Sequence, residues 1–495
     1  MRRTLRRSCA ACAKAKHKCD LHTPRCSRCT LRKVQCVYAN EPLSSPGPSK
    51  SNTALRESSG VPPSNLSTVS VTIGSSSFDP FDSYPPTSLP RSRVQSLIVH
   101  FLSKIAFQYY PLDLNPNSNP FINSWWPLAL ADPALFNVSL QTASLDAELH
   151  AQKGFHQSAI LMRDAVSLIR HKIDDPTLAF QDATLDAVVT LAAIEHGKGN
   201  LHECRMHVDA VKRMVAVRGG IAAVKRSSPL TARMVPWVSM LVTGSPQFEV
   251  QDDYGNGDGI APIDQWQSAL AFETHNPDHL GSSGSGLDHS IETILARLRS
   301  IFNLTQDLET RKDLNTNDLH DLTCFVLHKL LLPSHIQLTA ISECVRYALA
   351  IYMFVIHGPT YYSHAAILHQ ITLVLQNRLQ ELEQSQDMDV SLFLWCLSVG
   401  LSASTGTEEH DWFFNRAATS THSLGIETHD SVEFYLRNIF TLDVRSETMF
   451  RGAWGPIFAS TLRGPTNEQP TTALNMLLND EEYEYAGENN THSGV

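Results

Sequence analysis

The 495-residue sequence has no run of the roughly 18–20 uninterrupted apolar residues that a membrane span needs. Its longest candidates, Tyr347–Ile356 and Val390–Leu401, read as buried helices, so no membrane partner is expected. The basic start MRRTLRRS has no apolar segment behind it, which argues against a secretory leader and for a soluble intracellular protein. Charged residues are sparse at 18%, and apolar residues reach 42%. That balance excludes a wholly disordered chain and allows a sizeable core. Alternation of strand and helix patterns is missing, which excludes a doubly wound α/β enzyme.

Enzyme motifs are missing as well. Residues 255–259 read GNGDG, but Pro262 and polar residues follow in place of a phosphate-binding helix. The GSSGSG stretch at 281–286 lacks nucleophile-elbow spacing. Both read as flexible loops. Asp313-Leu314-Asn315-Thr316-Asn317 begins like a calcium loop, but Asp318 stands where that loop needs glycine and Cys324 where it needs glutamate. His202, Cys204 and His207 lie close together without making a complete metal site, and are expected to be ordinary helix residues.

Acids are scarce at one end only. Residues 1–40 contain eleven Lys and Arg and a single acid, Asp20, for a net charge of +10. The remaining 455 residues carry a net −20. A cationic head on an acidic body implies that the head, and not the body, meets a polyanion.

Cysteine is distributed in the same way. Cys204, Cys324, Cys344 and Cys396 are scattered in apolar surroundings, as small hydrophobes would be. The other six form the head: Cys9, Cys12, Cys19, Cys26, Cys29 and Cys36, with spacing C-x2-C-x6-C-x6-C-x2-C-x6-C. Its first half recurs 17 residues later as its second. A three-disulfide knot would need an oxidising compartment, and no export signal is seen. A structural zinc takes four tetrahedral ligands, so three thiolates per half are one short. Two zincs sharing six thiolates require two bridging sulfurs. Pseudo-symmetry nominates Cys9 and Cys26. Such a cluster leaves the head near +8, with Lys14, Lys16 and Lys18 between the second and third cysteines. Ala and Lys favour a helix there. Arg2, Arg3, Arg6 and Arg7 precede it, and Arg25, Arg28, Arg32 and Lys33 lie in the second half. Clustering of these cations around a zinc module points to contact with nucleic-acid phosphates.

Residues 7–38, with Pro24 ahead of the fourth cysteine, resemble the fungal Zn(2)-Cys(6) binuclear cluster of a large family of fungal transcription factors. The resemblance implies two structural zinc ions, a nuclear protein, and a first helix lying in the major groove over a CGG-like or related GC-rich triplet. It implies a base contact from Lys16 and a position near the phosphates for Lys18, with Arg7 and Lys14 completing the DNA-binding set. Ala13 and Ala15 stand where many members carry Arg or Lys. The Cys-Ala-Lys-Ala-Lys stretch is similar to the small-residue version in regulators of the aflatoxin type, which suggests a secondary-metabolite gene cluster as target.

Residues 41–90 hold nine prolines and fourteen serines and read as a disordered linker. No heptad run follows the cluster, so any homodimer is expected through the body. Helical periodicity starts near residue 91 with Val94, Leu97, Ile98, Phe101, Leu102 and Ile105. A turn-rich stretch around Trp125 and Trp126 is expected next. Helices are then expected around Ala159–Ile169, over Thr184–Ile194, and around Val208–Val215, closing at Gly219-Gly220. Others are expected near 290–310, 320–332, 336–356, 364–384, 388–402, 410–420 and 431–441. The segment HVDAVKRMVAVRGG, residues 207–220, is similar to a stretch in the regulatory region of many zinc-cluster factors.

The chain from Met476 to Tyr485 mixes acids with Leu477, Leu478, Tyr483 and Tyr485, a pattern suited to a transcriptional activation segment that binds coactivators. The expected organisation is a Zn2Cys6 module at 1–40, a disordered linker at 41–90, an all-α helical regulatory domain at 91–470 and an acidic-hydrophobic tail at 471–495. The expected function is sequence-specific binding of double-stranded DNA, without enzymatic activity. The competing reading is a helical interaction or scaffold protein whose zinc head is only a basic anchor.

Overall fold

The first apolar face expected from the sequence forms as expected. Val94, Leu97 and Ile98 are buried along Arg91–His100, and Phe101 and Ile105 continue that face through a π-helical turn at Phe101–Ile105. The computed structural model describes residues 10–17, 27–34, 84–109, 117–152, 154–275, 286–304, 314–333, 337–382, 388–440 and 444–462. Contacts divide the chain into two units, Met1–Phe78 and Asp79–Val495. The second is the helical body. Among the described residues its only β-pairing is an isolated bridge between Val250 and Ile260. The stretch just before the first body helix packs onto that body. Tyr84 stacks on Phe136 with ring centroids 5.6 Å apart, and the Ser88 N–H donates to Asp164 at 3.2 Å. The tail residues Leu477, Leu478, Tyr483 and Tyr485 lie outside the described residues.

The expected helices appear as His156–Asp174, Asp182–Gly197, Leu201–Val217, His289–Leu304, Thr316–Leu331, Ala340–His357, Ala365–Leu382, Val390–Ala403, His410–Leu424 and His429–Arg437. The expected turn-rich stretch at Trp125 and Trp126 is helical instead: a π-helical Phe121–Trp125 runs into Trp126–Ala131. Burial explains the difference, because Phe121, Trp125 and Trp126 are all core residues and the segment packs on Pro133–Ala151. That helix, Pro133–Ala151, has every residue from Ala134 to Asp146 buried, so it shows no amphipathic period. It packs against His156–Asp174 and Asp182–Gly197. Asp182–Gly197 in turn packs against Leu201–Val217 and Pro229–Thr243. Farther along, Ala340–His357 packs against Thr316–Leu331, Ala365–Leu382 and Val390–Ala403. Among the described residues Ala340–His357 is also the one helix long and apolar enough to cross a membrane, yet 72% of it is buried inside the body, as a core helix is.

The motifs set aside in the sequence have structural roles. Asn315 caps Thr316–Leu331 by accepting the Asp318 N–H at 2.9 Å, so the calcium-like stretch is a helix start. The GNGDG loop is tied down rather than flexible. Asp252 accepts from the Asn256 N–H at 2.8 Å, and a β-carbon on Gly259 would sit 2.4 Å from the Glu249 carbonyl oxygen. Of the GSSGSG stretch only Gly286 is described. The GNGDG loop meets the Arg218-Gly219-Gly220 turn, where the Asp258 carbonyl accepts the Ala222 N–H at 3.1 Å. Arg218 pairs with Asp182 at 2.5 Å and donates to Ser227 at 2.5 Å, joining three helices. The four scattered cysteines are buried, and burial raises the pKa of each thiol, to about 11 for Cys204 and about 12 for Cys344.

Candidate nucleic-acid interface

Two five-residue helices make up the described part of the head: α1, Ala10–Lys14, and α2, Ser27–Leu31. They are related by the 17-residue shift of the sequence repeat, and they pack on each other. Helices this short need their ends closed by other bonds. Both use the same closure. The His17 N–H returns to the Cys12 carbonyl at 2.9 Å, and the Val34 N–H returns to the Cys29 carbonyl at 3.1 Å. In α2 the Lys33 N–H also donates to the Thr30 carbonyl, at 3.3 Å. This is a Schellman closure, which places the residue before the returning N–H in the left-handed region. Those residues are Lys16, with φ 51°, and Lys33, with φ 52°.

The side chains of this unit are arranged opposite to those of a hydrophobic domain. Cys12 is 3% exposed and Cys29 1%, whereas the large apolar residues Leu31 and Val34 are 83% and 42% exposed. The described interior is therefore sulfur, not hydrocarbon. Two buried thiols with no large apolar side chain buried beside them among the described residues fit a thiolate–metal centre, where metal binding supplies the folding energy. Around them Lys14, Lys16, Arg28, Arg32 and Lys33 are all exposed. No acid lies between residues 21 and 40 of the sequence, so this stretch contributes only cations to the surface.

Of the residues singled out in the sequence, Cys12, Cys29, Lys14 and Lys16 fall in this described pair of helices. Cys9, Cys19, Cys26, Cys36, Arg7 and Lys18 lie outside the described residues. The left-handed turns at Lys16 and Lys33 were not anticipated. The 17-residue repeat was the available signal, since it maps one lysine on the other.

Residues 7–45 match the family model described as the fungal Zn(2)-Cys(6) binuclear cluster domain. Residues 96–242 match a second, described as the fungal specific transcription factor domain. The chain is a fungal zinc-cluster transcription factor. A binuclear cluster implies two zinc ions, and the pairing of the two domains implies DNA binding and a nuclear location. Both are transcription-factor domains rather than enzyme domains. The second covers the body from within Arg91–His100 to the end of Pro229–Thr243, and so includes the Arg218-Gly219-Gly220 turn. No curated protein matches the chain, and no solved structure does. His202, Cys204 and His207 lie on the helix Leu201–Val217, and among the described residues no group of His, Cys, Asp or Glu is arranged to hold a metal.

Proposed function

We propose that this zinc-cluster transcription factor binds DNA sequence-specifically and regulates a fungal secondary-metabolite gene cluster. The observation that carries the DNA-binding part is a head with buried thiols, outward-facing apolar residues and exposed cations, in a stretch of 40 residues with one acid. Cys9, Cys12, Cys19, Cys26, Cys29 and Cys36 hold two zinc ions, with Cys9 and Cys26 bridging so that six sulfurs fill eight ligand positions. When bound, zinc supplies the cross-links that fold the head, and its filled coordination sphere leaves no open position for catalysis. Lys16, at the end of α1, reads base edges of a CGG-like or related GC-rich triplet in the major groove. Arg7, Lys14 and Lys18 hold the phosphates on either side. The Ala13-Lys14-Ala15-Lys16 stretch supports the secondary-metabolite target by its similarity to regulators of that type. The helical body, 91–470, serves as the regulatory domain and supplies the homodimer contact. The tail, 471–495, recruits coactivators through Leu477, Leu478, Tyr483 and Tyr485, with its acids keeping them solvated.

Selection of binding sites from a random duplex pool by the full-length protein tests this reading. A GC-rich triplet should be enriched, and Lys16→Ala should lose about 1–3 kcal/mol of discrimination against its variants. A pool that yields no motif would overturn it, leaving the head as a basic anchor on a scaffold protein.

A further inference from the structure

Two lysines of the head occupy backbone that favours glycine. Lys16 has φ 51° and Lys33 has φ 52°; in the body, Gln152 is the one other described non-glycine residue with positive φ. In this conformation the β-carbon crowds the following carbonyl, which is why helix ends of this kind usually carry glycine. Glycine would fit both turns without strain. The strain is instead accepted twice, at one register of a repeat, each time with an exposed lysine. Strain held at matching places points to a use for the side chain outside the fold.

Lys16 has such a use in the function proposed above, whereas Lys33 counts only as one of the cations clustered around the module. Its surroundings differ from those of its counterpart in an informative way. Under the 17-residue shift, Arg28 and Arg32 replace Ala11 and Ala15, while Leu31 replaces Lys14 and Val34 replaces His17. Arg28 and Arg32 are one turn apart and share a face, and both are exposed, as is Lys33. Among the described residues the first half thus carries Lys14 and Lys16 two positions apart, with Lys18 following in sequence. The second carries a row of cations, and a row of cations matches a row of phosphates rather than the edge of one base.

We propose that Lys33, with Arg28 and Arg32, is a second duplex contact, which grips the phosphate backbone and fixes the orientation in which α1 presents Lys16. This rests on the DNA-binding reading above, and the test separates the two. Full-length wild type, Lys33→Gly, Lys33→Arg and Lys16→Gly are compared on the selected duplex and on a scrambled one across salt concentrations. Zinc retention against a chelator is measured on the same proteins. Lys33→Gly should retain zinc about two- to fivefold better, because the strain is relieved. It should nevertheless bind both duplexes more weakly, and by the same factor. Its salt slope should be flatter by about one unit, so that between about 50 and 200 mM salt wild type loses about 3.5-fold more affinity than the variant. Lys33→Arg should keep the wild-type slope. Lys16→Gly should also retain zinc better, but should lose preference for the selected duplex.

Three results would overturn the proposal. Better zinc retention by Lys33→Gly with unchanged affinity and slope would make Lys33 a helix end and nothing more. Weakening confined to the selected duplex would make it a base reader. Zinc retention that does not improve would remove the strain on which the inference stands. Failure of the underlying reading looks different: wild type itself then shows no preference for the selected duplex.

Discussion

Gly219 and Gly220 have nearly the same backbone, with φ +88° and +89°, but different neighbours. A β-carbon on Gly219 would meet the Ala223 β-carbon at 3.6 Å, an ordinary contact, whereas one on Gly220 would lie 2.3 Å from the Asp258 carbonyl oxygen. Gly219→Ala should therefore cost only left-handed strain, about 1–2 kcal/mol. Gly220→Ala must also displace a backbone segment and should cost about 3 kcal/mol or more, read from denaturant midpoints. Equal costs would mean that the Asp258 loop yields. Asp186 makes a second test possible. Its carboxylate accepts from the Thr231 hydroxyl at 3.0 Å, and burial pushes its pKa up to about 8. The unfolded value is near 4, so between about pH 4 and 8 the folded state holds a proton that the unfolded state has lost. Stability from this group is thus full below about pH 4 and declines as pH rises toward 8. Asp186→Asn should flatten that part of the pH profile of unfolding. An unchanged profile would rule Asp186 out as its source.

A wet face made a helix easier to read from the sequence, although Asp182–Gly197 and Val390–Ala403, buried on nearly all sides, were also read from their apolar runs. Leu201–Val217 keeps a polar face and buries Cys204, Val208, Val211, Met214 and Val215, so its period was plain. Pro133–Ala151 is buried on all sides over most of its length, and Pro229–Thr243 contains Pro236 within an almost continuous apolar run. Neither has a period to detect. Val444–Leu462 contains Gly452, Gly455 and Pro456, which look like breakers in sequence but sit inside a helix held by tertiary packing of Phe450, Trp454 and Ile457. What the sequence does mark at Pro133–Ala151 is the start. Asp132 accepts from the N–H groups of Ala134 and Leu135, both at 3.0 Å, with Pro133 in the first turn. The same carboxylate pairs with buried Lys172. Asp132→Ala removes the cap and strands that ammonium, so it should cost about 2–4 kcal/mol by denaturant melting. A loss near 1 kcal/mol would mean that Lys172 finds water instead.

At the scale of the whole chain, the two units are stabilised by different physics. The body rests on one large apolar core, and the described part of the head buries sulfur instead. Chelation of the full-length protein should therefore abolish DNA binding and the helix signal of the head while leaving the thermal transition of the body in place. Loss of both transitions together would show that the body also depends on metal. The candidate site was far more legible than the body's inner helices. Six cysteines at fixed spacing and a charge split between head and body are local signals, readable without knowing what packs on what. The turns at Lys16 and Lys33 were hidden because lysine is a poor marker of left-handed backbone, which glycine or asparagine would have announced.

The inside-out arrangement of the head has a consequence for how such a protein acquires new targets. In an ordinary small domain most surface changes also disturb a core that is barely large enough. Among the described residues of this head the buried side chains are the sulfurs of Cys12 and Cys29, and the exposed positions 14, 15, 28 and 32 carry no packing duty. Their chemistry can be rewritten one residue at a time with the scaffold unchanged. The exceptions are residues 16 and 33, where the backbone itself registers the choice of side chain. Recognition is thus almost uncoupled from folding, and a regulator of this kind can be reassigned to a different promoter at very little structural cost.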